Sequence, residues 1–170
     1  YVEGSIVKIT LRNFVTYDYC EFSPGPQLNM IIGPNGTGKS TIVCAVALGL
    51  GGAPSLLGRA KNISEFVKTG EDEAMIQIEL KRTGGKRNVV IQRNITKSNN
   101  ASSWRLNGRH APQKDVLAIV NQLNIQVDNL CQFLPQDKVA EFAQLTPPAL
   151  LEKTQEAAGA TDLLKWHQNL

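Results

Sequence analysis

The 170 residues carry 42% hydrophobic and 19% charged side chains and a formal net charge of +3, enough apolar material for one core and too much for a disordered chain. The longest nearly apolar run, Ile42 to Leu50, is far short of the roughly 20 residues a membrane helix needs, so no membrane partner is expected. The chain opens on Tyr1 with nothing that reads as a signal peptide, and Cys20, Cys44 and Cys131 are scattered in largely apolar settings. A piece of a longer polypeptide with reduced thiols, cytosolic or nuclear, is the expectation, with neither a disulfide framework nor a structural zinc site.

In chain order, Ser5 to Leu11 alternates with a period of two, placing Val7, Ile9 and Leu11 on one face and Ile6, Lys8 and Thr10 on the other. This predicts a strand with one buried side. A second short strand is expected at Tyr19 to Phe22, closed by Ser23-Pro24-Gly25-Pro26. Leu28 to Ile32 reads as a brief apolar strand suited to the middle of a sheet. After a glycine-rich turn, Ser40 to Leu50 is an apolar helix ended by Gly51-Gly52, and Asn62 or Ser64 could cap a short helix.

Ala74 to Leu80 is a clear strand, Gly84-Gly85 a tight turn, and Asn88 to Ile95 the returning partner. Asn107-Gly108 marks another hairpin turn after a strand at Trp104 to Leu106. Pro112 suits the first turn of a helix running through Val116 and Val120 to Leu123. From Thr146-Pro147 a stripe of Leu150, Leu151, Thr154, Ala157, Thr161 and Leu164 runs to the end, as of a helix leaving the domain.

Between Glu79 and Asp115 there is no acidic residue but nine basic ones: Lys81, Arg82, Lys86, Arg87, Arg93, Lys97, Arg105, Arg109 and Lys114. The rest of the chain holds nine basic residues against 15 acidic ones, so a mildly acidic body carries one strongly basic insert. Such a hairpin suits salt-dependent, sequence-independent contact with a DNA backbone, through Arg82, Lys86, Arg87, Arg93, Arg105 and Arg109. The same charges would also serve as solvated guards of sheet edges. Trp104 reads as a packed hairpin aromatic before it reads as a base-stacking one.

Gly33-Pro34-Asn35-Gly36-Thr37-Gly38-Lys39-Ser40 fits the phosphate-binding pattern G-x-x-x-x-G-K-[ST] without a mismatch, with Thr41 following into the helix. Glycines let backbone N–H groups turn toward phosphate oxygens, and the helix that follows adds its positive end. Lys39 then neutralises β- and γ-phosphate charge, and Ser40 holds Mg²⁺. The guanine-specific N-K-x-D motif is missing, which favours ATP. No four-residue apolar run ends in Asp: Val127-Asp128 and Asp137 both lack the setting of a Walker B strand. Half of a nucleotide site is present without the half that activates water.

Leu11-Arg12-Asn13-Phe14-Val15-Thr16-Tyr17, Gly33 to Thr41, Leu48-Gly49-Leu50-Gly51-Gly52 and Asn129 to Lys138, including Cys131-Gln132-Phe133-Leu134-Pro135-Gln136-Asp137-Lys138, resemble the amino-terminal head half of the structural maintenance of chromosomes (SMC) family, in its eukaryotic five/six branch. The resemblance covers essentially the whole chain. It implies an α/β P-loop NTPase fold of the ABC type, with residues 1–145 as the amino-terminal half of an ATPase head, a β-rich arm at about 74–106, and 146–170 opening an antiparallel coiled-coil arm. It implies that Gln136 coordinates Mg²⁺ and senses the γ-phosphate, that Arg12 and Asn13 lie near the nucleotide, and that Arg59 is a sensor or DNA contact.

It further implies ATP-driven head engagement that entraps or translocates DNA in repair and recombination, in the nucleus and on chromosomes. The partners implied are the carboxy-terminal half of the same head, the sixth SMC member as heterodimer partner, a kleisin, other non-SMC element subunits, and DNA. Alone, the chain lacks the Walker B and signature motifs and should be inactive. Rival readings are the head of a double-strand-break repair ATPase, another SMC subunit, a small P-loop kinase, or a pure DNA-binding module.

Overall fold

In the computed structural model, which describes residues 1–58 and 60–159, six strands form one antiparallel sheet in the order β2-β1-β3-β4-β5-β6. They are β1 Ile6–Phe14, β2 Tyr17–Phe22, β3 Glu73–Leu80, β4 Val89–Thr96, β5 Ala101–Leu106 and β6 Arg109–Ala111. The period-2 runs line up across the strands. Ile9, Ile78 and Ile91 are register partners, as are Leu11 and Ile76, and all five are fully buried. Gln77, Gln92 and Arg105 occupy the other face, which is polar.

One strand departs from strict alternation. Ile6 pairs with Leu80 and Lys8 with Glu79, so Val7 is the extra residue of a β-bulge. The slip turns Ile6, not the expected Val7, against the core.

Helix α1 (Lys39–Gly49) crosses β3 and β4, and α2 (Gln113–Gln122) covers β5. Pro112 stands one residue earlier than expected, as the residue that precedes α2. Asn62 caps the short 3-10 turn Ile63–Phe66 through a reciprocal capping box, its own N–H donating to Glu65 Oε1 at 2.9 Å. Phe66 stacks on Phe14 with ring centroids 5.9 Å apart. Helices α3 (Val139–Ala143) and α4 (Pro147–Ala157) follow.

The strand-rich segment from Ala74 to Leu106 is continuous with the rest of the sheet, because β1 pairs with β2 on one edge and β3 on the other. From Thr146 the helix α4 is described as far as Ala157, with Gly159 at φ +75 after it. Thr161 and Leu164 lie outside the described residues.

Leu28 to Ile32 forms no strand, and its apolar side chains stand in solvent, Leu28 at 92% and Ile32 at 82% exposure. An extended apolar segment becomes a central strand only with a ladder partner on each side, and no described strand pairs with it.

Candidate functional site

The loop from Gly33 to Gly38 runs directly into α1, whose residue before the first turn is Gly38 at φ +92. A methyl group on Gly38 would lie 2.7 Å from the Tyr17 hydroxyl and 2.9 Å from Thr16 Oγ1, so this position accepts only glycine. Within the loop, Thr37 Oγ1 donates to the Pro34 carbonyl at 2.9 Å. The Lys39 ammonium donates to the carbonyls of Gly33 and Pro34 at 2.7 and 2.6 Å. No acidic residue occupies the first turn of α1, so nothing on the helix offsets its positive end. The N-terminal end of a helix, an ammonium and a tight loop are the donor set that suits a polyphosphate.

The second wall comes from far along the chain. Ser40 and Gln136 line the same pocket, together with Cys44, Leu57, Pro135 and Asp137. A hydroxyl and a carboxamide oxygen are hard ligands of the kind Mg²⁺ takes beside phosphate oxygens. The 3-10 turn Pro54–Leu57 closes on this wall: a Cβ on Gly58 would lie 3.3 Å from that of Asp137. Arg59 lies outside the described residues.

Arg12 is exposed on the sheet face away from α1, opposite Tyr19, and does not line the Ser40–Gln136 pocket. Asn13 takes φ +49 and gives its amide to Glu71 Oε2 at 3.0 Å.

The basic residues divide by position. The 81–88 connection and the Asn107-Gly108 turn share one end of the sheet, since Leu80 pairs with Val89 and Ile91 with Leu106. Tyr17 and the phosphate loop stand at the other end, about 26 Å away along β1 at the usual rise per residue. Lys86, Arg87, Arg105 and Arg109 are exposed, while Arg82 Nε is paired with Glu3 Oε1 at 2.6 Å.

Arg93 is no surface contact, contrary to the reading of the basic insert. Its register partners Ile76 and Trp104 are core residues, and it is only 6% exposed. The guanidinium donates to the carbonyls of Leu48 (2.9 Å) and Gly52 (3.2 Å) at the end of α1, bonds Ser102 Oγ, and lies 4.6 Å from the Trp104 ring centroid. Burial pushes its pKa down to about 10, still cationic near neutrality.

Sequence reasoning missed a cluster of carboxamides ahead of Gln136. Gln126 Nε2 donates to the Glu156 carbonyl (2.7 Å), Asn129 Nδ2 to that of Lys153 (3.0 Å), and Gln132 Nε2 (2.8 Å) and Asn124 Nδ2 (3.2 Å) to that of Ala157. They tie the 124–132 segment to carbonyls in the last turn of α4, among them that of Ala157 at its end. The available signal was four carboxamides within nine residues, 124 to 132.

A family model described as AAA domain matches residues 8–169. The chain belongs to the AAA domain family. Within the curated proteins, structural maintenance of chromosomes protein 5 of Schizosaccharomyces pombe is 51% identical to this AAA domain, and that of Arabidopsis thaliana 47%. Each alignment covers all of this chain and 16% of the relative, so the chain spans about one sixth of their length. A solved structure described as "Structural biochemistry of ATP-driven dimerization and DNA stimulated activation of SMC ATPases" superposes with a TM-score of 0.77 at 25% identity, over 89% of this chain and 98% of its own. This AAA domain has the P-loop fold of an SMC head, built around an antiparallel sheet.

Proposed function

We propose that the chain is the ATP-binding amino-terminal lobe of an SMC-type chromosome maintenance ATPase, with residues 1–145 in the head and residues 146–170 opening the coiled-coil arm. The observation that carries this reading is the shared pocket of Ser40 and Gln136 at the mouth of an intact G-P-N-G-T-G-K-S loop. In it, Gly33 to Gly38 and Thr41 wrap the phosphates, and Lys39 leaves its carbonyl partners to neutralise the β- and γ-phosphates. Ser40 and Gln136 hold Mg²⁺, Arg12 and Asn13 stand near the nucleotide outside that pocket, and Arg59 is a sensor or DNA contact. Mg-ATP, when bound, supplies the γ-phosphoryl group whose presence or loss distinguishes two states of the head. Gln136 couples that difference to the segment that clamps α4.

Hydrolysis needs a glutamate and signature residues from the carboxy-terminal half of the head, so this lobe alone is inactive. A seat for that half is supported by exposed Leu28, Met30, Ile31 and Ile32 and by the apolar groove that Met30 and Ile31 share with Ile42, Val43 and Val46 of α1. A helix apolar nearly all round is built to be covered on more than one side. Lys86, Arg87, Arg105 and Arg109 lie along DNA. The sixth SMC member, a kleisin and other non-SMC element subunits complete a nuclear complex that entraps or translocates DNA in repair and recombination.

The test is Lys39→Ala in the full-length protein within its complex, read by site-specific cross-linking of the paired heads with and without ATP. Loss of the ATP-dependent cross-link is expected, and unaltered engagement and turnover would overturn the site.

A further inference from the structure

The turn between β1 and β2 is held in a conformation that side chains with a Cβ avoid. Asn13 and Val15 both take positive φ, +49 and +51, and a β-branched residue in that region is a backbone outlier. Such geometry persists only where surroundings impose it, and here they do. Val15 N–H donates to the Phe66 carbonyl at 2.9 Å, Lys68 N–H to the Asn13 carbonyl at 2.8 Å, and Phe14 stacks on Phe66.

The product of that constraint is the placement of the next two side chains. Thr16 Oγ1 and the Tyr17 hydroxyl both stand against Gly38. The Tyr17 hydroxyl donates to the Thr37 carbonyl at 3.3 Å. A phosphate-binding loop works by turning N–H groups inward, which requires its carbonyls to be held outward. The loop's other carbonyl partners come from within it, Thr37 Oγ1 on Pro34 and Lys39 Nζ on Gly33 and Pro34. A lysine that serves phosphate cannot also serve those carbonyls. Tyr17 ties the loop from outside it.

We propose that Tyr17 is a positioning residue for the phosphate loop: its hydroxyl, delivered by the strained 13–17 turn, fixes the Thr37–Gly38 peptide so that the amides on either side face the phosphates. The proposal rests on the nucleotide-site reading above and adds a residue to it. The phenol is suited to the task, because burial raises its pKa above the ordinary value of 10 and it stays a donor at neutral pH. A strut of this kind acts on phosphate and is indifferent to the base, which separates it from a stacking role for the same ring.

The experiment compares full-length protein with its Tyr17→Phe variant for binding of MgATP and of inorganic tripolyphosphate with Mg²⁺. Loss of one neutral hydrogen bond corresponds to roughly a threefold to tenfold weakening. Both ligands should weaken by the same factor, with the melting temperature of the unliganded protein unchanged. Equal binding by variant and parent overturns the strut, and so does weakening of MgATP without tripolyphosphate, which would make Tyr17 a base contact. Failure of the parent to bind either ligand overturns the nucleotide site itself. If the variant melts lower, amide hydrogen exchange decides. Faster exchange over residues 34–40 with no change over 63–71 supports the strut, and loss of protection over 63–71 overturns it in favour of a general structural role.

Discussion

Asn129 donates its carboxamide to the carbonyl of Lys153 at 3.0 Å from a site where only 3% of the residue meets solvent. The same amide also bonds Gln126 Oε1 at 2.8 Å, and Asn129 Oδ1 accepts from Cys131 N–H at 3.0 Å. One buried side chain therefore ties the segment leading to Gln136 both to itself and to the end of α4. Asn129→Ala takes this partner from the Cys131 amide and from Gln126 Oε1 around a buried site, at an expected cost of about 1–3 kcal/mol. Exposed Gln132→Ala should cost about 1 kcal/mol or less, because water replaces the lost bonds. Equal losses in denaturant melts of the full-length protein would contradict the buried clamp.

Arg93 and the exposed cations of the same insert should separate cleanly. Arg93→Met removes donors to Leu48, Gly52 and Ser102 while relieving the burial of a charge, for a net loss of about 1–3 kcal/mol in stability. It should leave the salt dependence of DNA binding unchanged. Replacing Lys86 and Arg87 together by Ala should leave stability unchanged and lower the slope of log affinity against log salt by about two. Titrations at several salt concentrations check both, and a slope altered by Arg93→Met would place that guanidinium on the DNA after all.

Ser40→Ala addresses the metal without touching the phosphate cradle. Nucleotide affinity measured with Mg²⁺ should fall about tenfold or more, while affinity in a chelator should match the parent. An equal loss in both conditions would mean that the hydroxyl supports the loop and not the ion.

The base of the first basic hairpin carries an acid-sensitive tie. Glu3 Oε2 accepts from the Thr83 hydroxyl and the Thr83 N–H, both at 2.5 Å, and these bonds, with Arg82 beside them, hold the carboxyl below its ordinary value of 4.5. A carboxyl whose folded pKa is depressed contributes fully above the unfolded value and loses the contribution as pH falls through the folded one. Protection of amides 81–88, corrected for intrinsic exchange, should decline as pH falls below 4.5 and should lose that dependence in Glu3→Gln.

The strands at 73–80 and 89–96 were legible because each buries alternate residues on one face, and a period of two survives in the letters. The phosphate loop was legible because its chemistry needs fixed glycines and a fixed lysine. Val7 was misplaced because a bulge depends on the partner strand, which no local pattern records. Arg93 was misread because a guanidinium is buried by the acceptors that happen to lie above it, Leu48 and Gly52, more than 40 residues away. Leu28 to Ile32 has the composition of a central strand, and composition does not say which chain segment pairs with it. The meeting of Ser40 with Gln136 was reached through resemblance alone, since 96 residues separate them.

The uncovered apolar segment at Leu28 to Ile32 also bears on biosynthesis. On the proposed reading, in a polypeptide of the curated relatives' length, about six times this chain, a segment from the far half that covers these residues would leave the ribosome on the order of a minute after them, at ordinary rates of elongation. Through that interval the segment and the facing side of α1 would leave apolar surface uncovered on the nascent chain. Such a surface is an aggregation hazard, and overproduced fragments that end before the covering segment should precipitate unless the missing half is supplied with them.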